Sequence, residues 1–157
     1  MISRISILFL LSLALPAWAQ HTAPPGVDSN ASFQPLPERK DVVSWKTLAQ
    51  VEIVKQKDRY VPQFSKSVVA LDKQDVKVQG FMMPLEMGDK QSHFVLAAMP
   101  TTCAFCMPGG PESMVEVKMK TPVKYTFDAL VVTGQLTVLK DDPSGIFYRI
   151  TDAEPVK

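Results

Sequence analysis

Cysteine and histidine are scarce in this chain, which contains two residues of each among 157. Two histidines leave little material for a catalytic serine–histidine–acid arrangement. Two cysteines are too few for the several widely spaced disulfides that usually stabilise small exported domains. No glycine-rich segment is placed to open a helix, so a phosphate-binding loop of the common kind is not predicted. Apart from the cysteine pair, the sequence therefore contains none of the common catalytic motifs that can be recognised from residue types and spacing.

An excess of either charge is also missing. The chain has 17 Lys and Arg residues against 16 Asp and Glu residues, which gives a formal net charge of +1. A balanced chain of mixed sign lacks the basic surface of a nucleic-acid-binding protein. Long blocks of like charge, which are typical of tails that bind membranes or polyanions, are absent as well. We therefore expect no nucleic-acid partner.

The longest apolar run lies at the amino terminus. Arg4 precedes the run ISILFLLSLALP, and Ala17-Trp18-Ala19 has the small-x-small pattern of a signal peptidase site. The apolar run is only about half of the roughly 20 residues that cross a bilayer. We predict that residues 1–19 are a signal peptide cleaved after Ala19. The mature chain would then work outside the cytoplasm, without a membrane span.

The rest of the chain is long enough for one domain. Residues 20–43 contain several prolines and no hydrophobic period, which predicts a flexible, disordered Pro-rich tether. Residues 44–157 are predicted to form a single domain that is mainly β. It would begin with a short helix capped by Ser44, followed by weak strand signals near Val51 and Tyr60 and a helical turn within residues 65–71.

Alternation of apolar and polar residues predicts strands from Asp75 onward. The first strand alternates up to Pro84, and others are predicted at residues 93–99, 113–119 and 126–139. A last strand would place Ile146, Tyr148 and Ile150 on one face. The long fourth strand is expected to bend at Gly134. About five short, evenly spaced strands favour a small OB-like barrel, with an open sandwich as the alternative.

The two cysteines form one C-x-x-C motif, Cys103 and Cys106, in the segment TTCAFCMPGGPES. A disulfide within so short a loop gains little chain entropy, so stability alone explains the pair poorly. Two thiolates at this spacing can coordinate one soft or borderline metal ion. The surrounding prolines and Gly109-Gly110 stiffen the loop and allow close approach of the backbone. The motif therefore predicts a metal site, although a structural zinc site usually has two such pairs.

Two other uses of the cysteine pair stay open. A thiol–disulfide oxidoreductase also uses C-x-x-C, but Pro108 and two glycines follow the motif, so no helix N-terminus is available to lower a thiol pKa. The third reading is a local disulfide in a metal-free module that binds another envelope protein. A binding protein is thus favoured over an enzyme.

Further metal ligands must come from elsewhere in the chain. Glu112 is the nearest candidate in sequence, six residues after Cys106, although it could equally lie in water or cap backbone. His93 is a weaker candidate, because six strand steps to Met99 span about 20 Å. Seven of the eight methionines lie between Met82 and Met119. Thioethers suit Cu(I), but methionine is also a common filler of cores, so copper is the less favoured metal.

Several segments carry a resemblance to a known family. They are VKVQGFMMPLE, HFVLAA, TTCAFCMPGGPESMVEV and PVKYTFDALVVTGQL. Over residues 51–153 the chain resembles exported bacterial proteins catalogued as domain of unknown function 3299. The resemblance implies a Gram-negative periplasmic protein, often encoded beside an ABC-type transporter and sometimes in zinc-responsive gene sets. It implies an accessory role in metal handling, with zinc favoured over copper, and no established catalysis. It does not supply the ligands.

Overall fold

The computed structural model of the protein describes residues 36–37, 39–100 and 109–156. The predicted signal peptide and residues 20–35 of the predicted tether lie outside the described residues. The described elements follow one another in the order α1 (Trp45–Leu48), β1 (Val51–Gln56), β2 (Arg59–Phe64), α2 (Lys66–Val69), β3 (Asp75–Pro84), β4 (Lys90–Ala97), a 3-10 helix (Pro111–Ser113), β5 (Met114–Lys124), β6 (Leu130–Val138) and β7 (Tyr148–Pro155).

Five of the strands close into a barrel, in the order β3-β4-β5-β7-β6. β5 and β7 pair in parallel, and the other neighbours are antiparallel. A closed five-stranded barrel of this kind confirms the predicted mainly-β, OB-like fold. β1 and β2 form a separate antiparallel hairpin.

The long strand β3 takes part in two pairings and so closes the barrel. Its first half, Asp75–Gly80, pairs with β6, and its second half, Phe81–Pro84, pairs with β4. Gly80 stands where one pairing ends and the other begins. A Cβ at this position would lie 2.8 Å from the Ala97 carbonyl oxygen, so the close approach of β3 to β4 requires glycine.

The barrel core contains the inward side chains that alternation predicts. Val78, Leu96, Val115, Val132 and Ile150 are fully buried. Because successive side chains of a strand point to opposite faces, their neighbours along the chain face outward. The interior is therefore filled with branched aliphatic side chains rather than lined as a channel.

Both short helices pack onto the barrel core. Ser44 and Ser65 cap α1 and α2 by accepting backbone N–H bonds at 3.2 and 3.3 Å. Leu48 of α1 is fully buried, and its carbonyl accepts a 2.5 Å hydrogen bond from the Tyr148 hydroxyl. The Trp45 indole N–H donates to the Gln79 carbonyl at 2.8 Å. These bonds fix α1 against β3 and β7.

Several element boundaries differ from the predictions. β6 begins at Leu130 instead of residue 126, because Thr126 accepts a hydrogen bond from the Asp128 N–H and forms a turn. β4 ends at Ala97, which leaves Met99 beyond the strand and 60% exposed. Ile146 precedes β7 and is only partly buried. The expected irregularity at Gly134 is present as a register shift between β6 and β7.

Candidate functional site

The predicted metal-binding segment is the connection between β4 and β5. Its cysteines, Cys103 and Cys106, lie outside the described residues. The Ala98 N–H donates to the Ser113 carbonyl at 3.1 Å, directly beyond the paired residues Ala97 and Met114. The connection therefore leaves the barrel and returns to it at a single closed base, and both cysteines belong to the loop above that base.

Glu112 lies at the returning foot of this loop, in the 3-10 helix that contacts α1. Burial raises the pKa of the Tyr148 phenol, and the negative charge of Glu112 raises it further. The Glu112 carboxylate lies against the Gly110 backbone, with both oxygens 2.5 Å from the position that a Cβ at Gly110 would take. Glu112 is partly buried, so it is not a freely solvated surface residue.

His93 lies on β4, opposite Lys118 of β5. Its Nε2 is 2.7 Å from Oε1 of Glu116, and its side chain is 36% exposed. Because an ionised carboxylate only accepts hydrogen bonds, Nε2 carries the proton in this pair. A metal ion at Nε2 would have to displace this bond. The predicted separation of His93 from the cysteines stays a prediction, since the cysteines lie outside the described chain.

Glu116 is the centre of a network of charged side chains on the outer wall of the barrel. Its side chain is only 7% exposed. Oε1 accepts from His93, and Oε2 accepts a short hydrogen bond from Nε of Arg149. Arg149 also donates to Asp142 at 3.1 Å, and the Lys118 ammonium is 4.0 Å from Oε1. The network joins β4, β5 and β7 to the loop before β7.

The network keeps Glu116 ionised. Burial by itself would raise the pKa of this carboxyl group. The hydrogen bonds from His93 and Arg149, together with the charges of Arg149 and Lys118, outweigh burial and lower the pKa below its usual value. The pKa of Asp142 is lowered as well, mainly by the hydrogen bond from the Ser144 N–H and despite its desolvation. Two carboxylates thus flank one guanidinium.

Sequence reasoning missed this network. Glu116 and Arg149 each occupy an outward position between two buried residues of a strand, which is where a solvent-exposed charge is ordinarily found. The available signal was the alternation itself, which assigns both side chains to the outer face. Nothing in the local pattern indicated that loops cover this face and bury Glu116.

The described residues contain no group of three His, Cys, Asp or Glu side chains that could hold a metal ion. The carboxylate of Glu86, which lies in the β3–β4 connection, is already engaged in hydrogen bonds. It accepts from the Ser92 N–H at 2.9 Å and from the His93 N–H at 3.2 Å. These bonds support the bulge in β4 between Gln91 and His93. A metal site with three such ligands would therefore need at least one residue outside the described part of the chain.

None of the helices that the structure describes has the length and apolar character needed to cross a membrane.

Comparison with known proteins links the chain to a family of proteins of unknown function. The profile described as "Protein of unknown function (DUF3299)" matches residues 20–149. No curated protein matches the sequence significantly. Among solved structures, the chain is similar to the crystal structure of a DUF3299 family protein from Pseudomonas aeruginosa PAO1. The identity is 22%, the match covers 61% of this chain and 68% of that chain, and the TM-score is 0.49. Since the family profile covers most of the sequence, this chain belongs to the DUF3299 family.

Proposed function

We propose that the protein is exported to the periplasm and binds a transition-metal ion there through the thiolates of Cys103 and Cys106. Zinc is the expected ion, and copper is the less favoured one. The observation that carries the proposal is the placement of the only two cysteines in one loop, whose base is closed by the Ala98–Ser113 hydrogen bond.

The ligand chemistry explains why this loop suits zinc. Zinc prefers four tetrahedral donors, and thiolates are among its best protein ligands. Glu112 is the proposed third ligand, because it stands at the returning foot of the same loop. Water, a partner's side chain or His93 would complete the set. If water or a partner supplies the fourth donor, the site is open, and an open site suits transfer of the ion better than its storage.

This arrangement favours a role as a metal chaperone or as an accessory to a transport system. An ABC-type transporter or another envelope protein would be the partner. The two thiolates would coordinate the zinc ion, whose charge neutralises theirs. The barrel would present the loop to the partner.

The test is to measure metal content and free thiols in protein isolated from the periplasm. The proposal predicts about one zinc per chain, and two free thiols after removal of the metal by a chelator. A stable disulfide without metal would contradict it and favour the metal-free interaction module. The rate of thiol alkylation against pH distinguishes the oxidoreductase. Metal-free thiols should titrate near the free-cysteine range of about 8–9, whereas a value of roughly 3.5–7 would favour redox catalysis.

A further inference from the structure

A separate cavity of about 380 Å³ lies on the outer wall of the barrel. Its floor is formed by Met83 of β3, Val95 of β4 and Met114 of β5. These three side chains point away from the barrel core, yet each is at most 8% exposed. They form a small apolar cluster of their own, outside the main core. Outward-facing residues this well buried must be covered by other parts of the chain.

Loops at both ends of the strands provide that cover. Leu85 comes from the β3–β4 connection, Pro111 from the foot of the β4–β5 connection, and Ile146 from the segment before β7. They form the sides of the cavity, which stays open to solvent, since Leu85 is 51% exposed. Pockets for small molecules generally have volumes of about 300–1,000 Å³ and mostly apolar linings. The size and lining of this cavity therefore match those of a site for a small apolar ligand.

Glu116 is the charged side chain of a lining that is otherwise apolar except for Ser144. Each carboxylate oxygen can accept two hydrogen bonds. His93 and Arg149 use one on each oxygen, so acceptor capacity remains. The charges around it are Asp142, which is negative, and Arg149 and Lys118, which are positive. Lys118 is 4.0 Å from Glu116 and 51% exposed, so solvent weakens its influence. Glu116, Asp142 and Arg149 are 7%, 10% and 25% exposed and together have one more negative charge than positive, whereas His93 and Lys118, the other two groups of the network, are 36% and 51% exposed.

We propose that this cavity binds a small apolar molecule that carries a protonated amine. The aliphatic part would occupy the space above Met83, Val95 and Met114. The ammonium group would donate a charge-assisted hydrogen bond to Glu116. An anionic ligand of the same length would be rejected by the carboxylate. Glu112, the proposed third metal ligand, does not line this cavity, but His93, the alternative ligand, is hydrogen-bonded to Glu116 and therefore adjoins it.

The probes are n-hexylamine, n-hexanol and hexanoate, which share one chain length and differ in charge. Binding is measured by calorimetry and by chemical-shift changes of ¹⁵N-labelled protein. A chelator is present so that the amine cannot bind through a metal ion. A charge-assisted hydrogen bond predicts that hexylamine binds about tenfold more tightly than hexanol. Hexanoate should bind most weakly, and the shift changes for hexylamine should centre on Val95, Met114 and Glu116.

Two variants of the same loop provide a matched pair. Leu85→Lys replaces a cavity wall with a positive charge, whereas Met87→Lys adds the same charge at a side chain that is fully exposed. We expect Leu85→Lys to weaken hexylamine binding about tenfold and Met87→Lys to leave it unchanged. The proposal is overturned if native protein does not bind hexylamine, or binds hexanoate equally well. Equal loss in both variants would also overturn it, since that would indicate a non-specific charge effect.

Discussion

At the scale of single residues, the buried carboxylate of Glu116 holds three strands and a loop together. We expect Glu116→Gln to lower the free energy of unfolding by about 1–3 kcal/mol, because Arg149 then loses a buried anionic partner. Urea denaturation measures the change. Glu154→Gln is the matched control, since Glu154 pairs with Lys120 at 3.0 Å on the surface. It should have no measurable effect. Equal effects of the two substitutions would contradict the special position of Glu116.

The contribution of Glu116 should also depend on pH. Its pKa in the folded state lies below the ordinary value of 4.5. The unfolded chain therefore binds the proton more readily, and stability falls as the folded carboxylate is protonated. The native protein should exceed Glu116→Gln in unfolding free energy by a constant amount above about pH 5. This difference should become smaller as the pH falls below 4.5. Denaturation curves from pH 3 to 7 check this. A difference that grows in acid would contradict the assignment.

The roles of Glu112 and His93, the two proposed ligands besides the cysteines, can be distinguished by substitution. Glu112→Gln should weaken zinc binding while the thiolates remain engaged, because Glu112 stands at the foot of the cysteine loop. His93→Ala should matter less, because Nε2 of His93 is already hydrogen-bonded to Glu116. Titration of both variants against a competing chelator gives the comparison. A large loss with His93→Ala and none with Glu112→Gln would show that the loop folds back along the outer wall of the barrel.

At the scale of elements, β3 closes the barrel only because its backbone approaches β4 at Gly80. We expect Gly80→Ala to destabilise the protein by about 1–3 kcal/mol, since the added methyl group would lie 2.8 Å from the Ala97 carbonyl oxygen. Asp75→Ala, at the exposed start of the same strand, is the control and should change stability little. Thermal unfolding of both variants tests the claim, and a Gly80→Ala protein as stable as the native one would disprove it.

The elements also show what the sequence could and could not predict. The period-two alternation located the barrel strands, because it reflects one buried face, and Ser44 marked the first helix through its capping oxygen. Strand ends were predicted less well, since they depend on long-range bonds. The Tyr125 N–H donates to the Asp89 carbonyl at 2.8 Å, and this contact between loops could not be foreseen from the residues beside Tyr125.

At the scale of the whole molecule, local patterns predicted the barrel but not the chemistry of its outer wall. The C-x-x-C motif can be recognised by its spacing alone. The Glu116 network and the cavity beside it form only when residues from four segments come into contact. These contacts depend on how the barrel closes and where its loops lie. Leu85 and Ile146 line the same cavity as Glu116, although they lie 31 residues before it and 30 residues after it. Such a meeting of distant residues has no signature in a single strand.

The central claim is that the protein binds zinc through its cysteine pair. The most direct measurement is zinc stoichiometry in the purified protein and in a variant with Cys103→Ser and Cys106→Ser. The account predicts about one zinc per native chain and none in the double variant. The circular dichroism spectrum should be unchanged, because the barrel core contains Val78, Val115 and Ile150 rather than the loop. Unchanged zinc stoichiometry in the double variant would contradict the account.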